Sequence, residues 1–277
     1  MKSLIKKIKK NGDKAERSQN AIEINNVSKS FFVPTKKKDT LVDYLKHPKN
    51  IFKKKSDGKL LVLDHVNFDV KKGEFLGIIG NNGSGKSTLL KLISGVYTPD
   101  RGEIIINGSL VPFLQLGVGF NPELSARDNI FLNGTILGMK KKEIEKEFAE
   151  IIKFAELERF IDLSLKNYSS GMRVRLAFSI AIRSKADIYV LDEVIAVGDA
   201  NFHEKSFREF ERLRNQGKTI ILVTHSLGVV RNFCDRTALI DQGKVAKIGD
   251  PDEVVDFYED LNRQRLSNPN LVNNKKR

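Results

Sequence analysis

The chain has 277 residues, a single cysteine and a formal net charge of +13. The lone Cys234 excludes a disulfide framework and is typical of a reducing cytosol, and no apolar run approaches the roughly 20 residues of a membrane-spanning helix. We therefore expect a soluble, cytosolic protein that depends on another chain for any function at a membrane.

The positive charge is concentrated in three peripheral segments. Residues 1–20 carry seven Lys or Arg against two acids, residues 34–60 carry nine Lys against three Asp, and residues 261–277 carry five Lys or Arg and no acid. The rest of the chain is slightly acidic, whereas a nucleic-acid-binding core carries a positive stripe of its own. This distribution disfavours nucleic acid as a partner and suits anionic lipid headgroups or plain solubilising tails.

The N-terminal third is predicted to contain a basic arm and two paired strands. Residues 1–20 have the apolar spacing of a short amphipathic helix that is not stable alone, so we interpret them as a disordered arm able to order on a membrane. Alternating apolar residues predict strands over residues 21–32 and 61–70. The Lys-rich insert of residues 34–60 is interpreted as a surface excursion between them, with a short helix over residues 39–47.

The stretch from Gly80 to Thr88 is the strongest functional signal in the chain. An apolar run precedes it and an apolar helical face follows it, and this order of strand, glycine loop and helix is what a P-loop requires. The backbone N–H groups of such a loop turn around a phosphate, and the helix dipole adds to the attraction. Lys86 is predicted to reach the β- and γ-phosphates, and the Ser87 hydroxyl to ligate Mg²⁺. The predicted phosphate-binding residues are Gly80, Asn81, Asn82, Gly83, Ser84, Gly85, Lys86, Ser87 and Thr88.

The middle of the chain is predicted to be mainly helical. Residues 103–106 are predicted to form a strand, and Asn107-Gly108 is a hairpin signal. Residues 125–167 have an almost purely helical pattern, with Ser125 as the N-cap. We interpret residues 121–175 as an inserted α-helical subdomain.

The last third alternates strands and helices, which predicts a mostly parallel α/β sheet with its ligands at the carboxyl ends of the strands. Asp192, Glu193 and His225 fall at such strand ends. Asp192 is predicted to hold Mg²⁺ and Glu193 to position or deprotonate the attacking water, while His225 is placed to hydrogen-bond a γ-phosphate. The predicted strands are residues 188–191 and 219–223 and a hairpin over residues 237–249; the helices are residues 201–215, 227–233 and 253–262.

A second anion site is predicted where Ser169-Ser170-Gly171-Met172 opens an apolar helix. With this element added, the motif order over residues 21–250 resembles that of the nucleotide-binding subunits of ABC transporters. Their fold implies a P-loop NTPase (RecA-like) core with an antiparallel β-subdomain and the helical subdomain. The resemblance identifies residues 80–88 as Walker A, and Ser169 and Gly171 as the signature. Asp192 matches Walker B, Glu193 the catalytic glutamate, Asp199 the D-loop and His225 the switch histidine. Gln115 is identified as the Q-loop glutamine, acting in catalysis and on the metal, and Phe31, beside Phe32, as the adenine-stacking aromatic.

Within that family the chain is most similar to the ATPases that export cell-surface polysaccharides such as O-antigen, capsule or teichoic acid. The phrase from Leu191 to Asp199, the Tyr168-Ser169-Ser170-Gly171-Met172 signature and residues 119–124 carry this likeness. It implies ATP and Mg²⁺ as cofactors and a homodimer with ATP at the interface, completed in trans by the signature. It also implies a separate polytopic permease subunit and a peripheral location at the cytoplasmic face of the cell membrane.

Residues 251–277 are interpreted as a C-terminal helix and basic tail, so the extra glycan-binding domain of some O-antigen members is expected to be absent. Two other functions remain open at this point: a soluble ABC-type ATPase acting on nucleic acid or ribosomes, and an ABC ATPase for lipid or drug export. A purely regulatory nucleotide binder is disfavoured because Glu193 is present.

Overall fold

The computed structural model of the chain describes residues 8–10, 19–33, 58–192 and 200–267, and of residues 8–10, Gln115 and Ala200 only the backbone. The helix predicted over residues 39–47 and the basic tail beyond residue 267 lie outside the described residues. The strands are β1 (Ile8–Lys10), β2 (Asn20–Val33), β3 (Gly58–Lys71), β4 (Phe75–Ile79), β5 (Arg101–Ile106), β6 (Leu110–Pro112), β7 (Ile188–Leu191), β8 (Thr219–Val223), β9 (Arg236–Asp241) and β10 (Lys244–Gly249). The α-helices are α1 (Lys86–Ile93), α2 (Ala126–Ile136), α3 (Lys141–Ala155), α4 (Ser170–Arg183), α5 (Ala200–Asn215), α6 (Leu227–Phe233) and α7 (Pro251–Ser267).

A six-stranded sheet in the order β10-β9-β4-β8-β7-β6 forms the centre of the protein. Its neighbouring strands are parallel except for the β9–β10 pair. Every residue of β4, β7 and β8 is buried, as expected for apolar strands covered on both faces. The predicted mostly parallel α/β sheet is confirmed, as are its predicted strands over residues 188–191 and 219–223.

The two faces of this sheet pack against different layers. On one face, an aromatic-rich cluster joins the sheet to α4, α5, α6 and α7, with the ring of Phe178 lying 5.6 Å from Phe202 and 5.7 Å from Phe210. On the other face, an aliphatic cluster joins it to α1 and to a second sheet. Helix α1 therefore lies between two sheets, and this holds the start of α1 at a fixed position.

The second sheet is mainly antiparallel, in the order β1-β5-β2-β3. Strands β2 and β3 pair from Asn20↔Lys71 to Val33↔Gly58, which confirms the predicted pairing. Within the basic arm, Ile8–Lys10 is a strand that pairs in parallel with β5, and is not part of an amphipathic helix. The reason is that the edge of β5 presents unpaired backbone groups, which an added strand satisfies.

The prediction of a hairpin at Asn107-Gly108 is wrong. Strand β5 pairs with β2 in the antiparallel sheet, whereas β6 pairs in parallel with β7 in the central sheet. At the crossing, the Asn107 amide donates to the Asn20 carbonyl at 3.0 Å, and Ser109 donates to Asp187 through its backbone N–H and its hydroxyl, at 2.9 and 2.7 Å. The turn is thus held by both sheets, and it carries the chain from one to the other.

The helical segment consists of α2, α3 and the start of α4. The Ser125 hydroxyl accepts from the Asp128 backbone N–H at 3.1 Å, so the predicted N-cap of α2 is confirmed. Ile144, Ile151 and Ala155 of α3 are buried in a cluster shared with α2 and α4. The second half of α4 packs against the central sheet, so this helix joins the helical segment to the core.

The last elements that the structure describes are the β9–β10 hairpin and α7. Gln242 and Gly243 both have left-handed φ values of 46° and 79°, as a tight two-residue hairpin requires, which confirms the predicted turn. Helix α7 begins at Pro251 after Asp250, whose carboxylate accepts from the Asp252 N–H at 2.9 Å. It is longer than the predicted helix over residues 253–262. Among the described helices, none has both the length and the apolar character needed to cross a membrane.

Candidate functional site

The glycine loop between β4 and α1 is shaped by close contacts on one side and open space on the other. A Cβ on Gly80, whose φ is 146°, would lie 2.1 Å from the Ile240 carbonyl oxygen. A Cβ on Gly83 would meet no atom within 4 Å. The loop is therefore pressed against β9 at its first residue and leaves a free volume at Gly83, where an anion can approach the backbone.

Lys86 lies at the first position of α1 and is only 6% exposed. Its ammonium donates to the carbonyls of Gly80 at 2.7 Å and Asn81 at 3.0 Å, so it closes over the loop. The first turn of α1 contains no acidic residue. The N–H groups and the dipole at a helix start favour anions, so a cation held over this loop is suited to a bound phosphate.

Two hydroxyls lie in the same loop. Ser84 is buried, and its Oγ has no hydrogen-bond partner among the residues that the structure describes. Ser87 is exposed in the first turn of α1, where backbone N–H groups lack acceptors within the helix. The loop thus offers both N–H and hydroxyl groups to phosphate oxygens.

The sheet places Asp192 and His225 at the same edge as the loop. Leu191 pairs with Leu222, and Val223 pairs with Ile78, so the ends of β7, β8 and β4 are level. Neighbouring strands lie about 4.8 Å apart, so Asp192 lies roughly 10 Å across the sheet from the strand that carries the loop. His225 is exposed just after β8, between them. Such separations suit groups that face one triphosphate and its metal.

Gln115 follows β6, the strand next to β7, at the end of a 3₁₀ helix over Phe113–Gln115. Its backbone therefore lies at the same sheet edge as Asp192, while its side chain is outside the described part. Glu193 and Asp199 also lie outside the described residues. For these three residues the assigned roles stay predictions.

Phe31 and Phe32 differ in their surroundings. The ring of Phe31 packs edge-on against Tyr97 at 5.4 Å between centroids, with the Lys29 ammonium 5.5 Å from its centre. Phe32 is 75% exposed. The two side chains point to opposite faces of β2, and Phe31 is the one that packs against the fold.

The residues predicted as the signature, Ser169 and Gly171, lie at the start of α4. Ser169 caps α4 by accepting from the Met172 N–H at 3.2 Å, and it is exposed. A Cβ on Gly171 would meet only the Ser169 hydroxyl, at 3.9 Å. Within the described ranges, no hydrogen bond joins Ser169 to residues 80–88. The exposed helix start is therefore available to another molecule.

Comparison with known proteins places the chain in a family. The family model described as ABC transporter matches residues 63–196. The chain is 49% identical over 201 residues to the O-antigen export system ATP-binding protein RfbB of Myxococcus xanthus, covering 73% of this chain and 46% of that protein. The chain therefore spans less than half of the length of this relative.

Other relatives are covered more fully. The chain is 37% identical over 238 residues to an O-antigen export system ATP-binding protein RfbB of Klebsiella pneumoniae, covering 86% of this chain and 97% of that one. It is 38% identical over 251 residues to the teichoic acids export ATP-binding protein TagH of Listeria innocua, covering 90% and 72%.

Solved structures share the fold. A dimeric, post-hydrolysis ATP-binding cassette bound to ADP and phosphate matches with a TM-score of 0.64 and 26% identity, over 83% of this chain and 98% of that one. An ATP-binding subunit of an ABC transporter matches with a TM-score of 0.68 and 23% identity, over 86% and 93%. The predicted P-loop NTPase fold is confirmed. The chain belongs to the ATP-binding subunits of ABC transporters, and it is an ATPase of that family.

Proposed function

We propose that this chain is the ATP-hydrolysing subunit of an exporter that moves a lipid-linked cell-surface polysaccharide, such as O-antigen, capsule or teichoic acid, across the cytoplasmic membrane. The observation that carries the proposal is the similarity, over most of this chain, to ATP-binding proteins named for O-antigen export and for teichoic acid export. Two polymers of different chemistry occur among these names, so the proposal extends to the polymer class and not to one polymer.

ATP and Mg²⁺ fit the residues at the sheet edge. The buried Lys86 and the open side of the loop at Gly83 suit the phosphates, and Phe31 suits the adenine. The Ser87 hydroxyl, the Asp192 carboxylate and the Gln115 amide would hold Mg²⁺, which prefers oxygen ligands. Bound there, the ion would offset the negative charge that develops on the transferred phosphoryl group.

The other predicted residues act on the γ-phosphate side. Glu193 would hold and deprotonate the attacking water, and His225 would hydrogen-bond the γ-phosphate. Lys86 and the loop N–H groups are already oriented before ATP binds, which favours stabilisation of the transition state without reorganisation.

The ATP site is completed by a second copy of the chain. The exposed Ser169 and the partly buried Gly171, at the start of α4, would face the ATP of the partner copy, and Asp199 would lie at the same interface. Dimeric cassettes among the similar structures support this arrangement. Because ATP contacts both copies only in the closed dimer, its binding favours closure and its hydrolysis reopens the interface.

A membrane permease would dock in the groove between residues 110–122 and the helical subdomain. Two adjoining cavities of about 360 and 250 Å³ lie there, lined in part by Leu116, Gly117 and Ala177. Val118 and Ile136 at this surface are 58% and 56% exposed, and exposed apolar patches mark interaction sites.

The basic segments outside the core would lie against the cytoplasmic membrane surface, and the acidic balance of the core disfavours nucleic acid.

Co-purification from detergent-solubilised membranes tests the export function. We expect the tagged chain to recover a multi-spanning protein that stimulates its ATP hydrolysis. Val118→Glu with Ile136→Glu should lose that protein and keep ATP binding, while Leu266→Glu, at another exposed apolar position, should keep both. Recovery of ribosomes or nucleic acid instead would replace the export function with a soluble ATPase.

The Glu193 assignment has its own test. Glu193→Gln should stop turnover and trap an ATP-bound dimer, seen by size-exclusion chromatography with MgATP. Turnover at the wild-type rate would remove Glu193 from the mechanism.

A further inference from the structure

The C-terminal helix α7 contacts the nucleotide loop directly. The Tyr258 hydroxyl donates to Asn81 Oδ1 at 2.9 Å, and Asn81 Nδ2 donates to Asn262 Oδ1 at 3.0 Å. Residues 258 and 262 are four positions apart and share one face of the helix. Both ends of the Asn81 amide are thus held by the same helix, which fixes its side-chain conformation.

Between Gly80 and Gly85, Asn81 is the side chain for which the described residues show hydrogen bonds to another element of the fold. Asn82 is exposed, and the Ser84 hydroxyl has no partner within the described part of the chain. Gly80, Gly83 and Gly85 have no side chain through which they could be anchored. A loop with three glycines has many accessible conformations, so an anchored side chain within it helps to fix its shape.

Asn81 connects α7 to Lys86. The Asn81 carbonyl accepts from the Lys86 ammonium at 3.0 Å and from the Ser84 N–H at 3.1 Å. The position of the Asn81 backbone therefore sets both the turn of the loop and the place of the cation that meets the phosphates.

A second route runs from the end of α7 to the same loop. Arg265 makes two hydrogen bonds to the Asp241 carboxylate, at 2.9 and 2.7 Å, with both side chains largely buried. Asp241 ends β9 just before the turn in which the Gly243 N–H donates to the Ser84 carbonyl at 2.9 Å. The part of α7 beyond residue 257 thus combines polar contacts that converge on the loop with apolar packing of Tyr258 and Leu261 against the core.

The fully buried apolar side chains of α7 lie in its first turns. Val254 and Val255 are fully buried, and Arg231 of α6 pairs with Asp252 and Asp256, both at 2.5 Å. These contacts can hold the helix on the domain without Tyr258 or Asn262. Removing the hydrogen bonds of Tyr258 and Asn262 should therefore leave α7 folded on the domain and change the nucleotide loop.

We propose that Tyr258 and Asn262 are positioning residues for ATP binding: they hold Asn81 so that the nucleotide loop is already formed when ATP arrives. Holding the loop in its bound shape lowers the ordering cost of binding. Neither residue is among the predicted catalytic residues, so we expect an effect on nucleotide affinity and not on the rate of hydrolysis. The inference depends on ATP binding by the family, and not on which polymer is exported.

The test uses the full chain with Tyr258→Phe, Asn262→Leu and the double variant. We expect the KM for MgATP and the Kd for MgADP to rise roughly three- to ten-fold per lost hydrogen bond, with kcat within about two-fold of wild type. Matched controls are Gln264→Leu, at an exposed position on the same helix, and Tyr189→Phe, which removes a buried hydroxyl that donates to the Ser184 carbonyl in the core. Both controls should leave KM unchanged.

A double-mutant cycle with Asn81→Ala separates positioning from a structural role. In the Asn81→Ala background, Tyr258→Phe should raise KM no further, because its partner is gone. An unchanged KM in the double variant, additive effects in the cycle, or tighter nucleotide binding would each overturn the proposal. A wild-type chain that binds no MgATP would instead overturn the proposed function itself.

Discussion

Two glycines of the nucleotide loop should respond differently to the same substitution. At Gly80, an added Cβ would lie 2.1 Å from the Ile240 carbonyl and 2.9 Å from the Ser84 hydroxyl. Ile240 is fully buried in β9, between β4 and β10, so it cannot move aside without disturbing the sheet. Relieving the contact requires a shift of about 1 Å and costs roughly 1–3 kcal/mol for overpacking, in addition to about 1–3 kcal/mol for a positive φ.

At Gly83 the steric cost disappears. Its φ is 78° and an added Cβ would meet nothing within 4 Å, so Gly83→Ala should cost only about 1–2 kcal/mol of backbone strain. Its methyl group, however, would fill the open side of the loop at which a phosphate would bind. We therefore expect Gly80→Ala to lose about 2–6 kcal/mol of folding free energy, and Gly83→Ala to stay folded and lose nucleotide binding.

Urea unfolding without nucleotide measures the first effect, and the shift of the melting temperature with MgATP measures the second. At a ligand concentration one hundred times Kd, wild type should gain about 2.7 kcal/mol, or roughly 5–10 °C for a domain of this size. Gly83→Ala should lose most of this shift. Equal destabilisation by the two variants would refute the Ile240 contact, and a full MgATP shift in Gly83→Ala would refute the position of the phosphate site.

Two titratable groups give further predictions. Burial of Asp100 would raise its pKa, but hydrogen bonds from Ser30 and Lys29 outweigh this and lower the pKa from 3.8 to about 2; its stabilising effect is therefore complete above about pH 4 and lost as the pH falls toward 2. Because the carboxylate is one-third exposed, Asp100→Asn should lower the free energy of unfolding by only about 1 kcal/mol at pH 7. The difference in urea midpoint between this variant and wild type should shrink below pH 4. A constant difference down to pH 2.5 would contradict this. Burial raises the pKa of Cys234 from 9.0 to about 12, so its thiolate fraction at pH 8 is about a thousandfold below that of a free thiol. A thiol reagent should therefore label Cys234 only in denaturant. Rapid labelling of the native protein would contradict the burial.

Much of this molecule follows from local sequence. The strands β7 and β8 were predictable because a short apolar run bounded by polar residues has few other ways to be buried. The glycine loop, Asp192 and His225 were predictable as one site because the carboxyl ends of parallel strands meet at one edge of a sheet. The Ser125 cap and the Gln242-Gly243 turn depend only on neighbouring residues.

The choice between Phe31 and Phe32 was not available from the sequence. Alternation along a strand separates the two side chains but does not tell which faces inward. Tyr97, 66 positions after Phe31 in the sequence, supplies that information by packing against its ring. In the same way, the exposure of Ser169 at the start of α4 follows from how the helical segment packs and not from the signature itself.

The sequence by itself therefore determined the chemistry of the nucleotide loop, the elements around it and the family. Tertiary structure alone decided that Asn107-Gly108 crosses between two sheets, and that Asn81 is held by Tyr258 and Asn262, which are 177 and 181 positions away. The physical reason is that periodicity, caps and turns report on the interactions of near neighbours. Which distant strand or helix is adjacent depends on the packing free energy of the whole fold, and no local pattern encodes it.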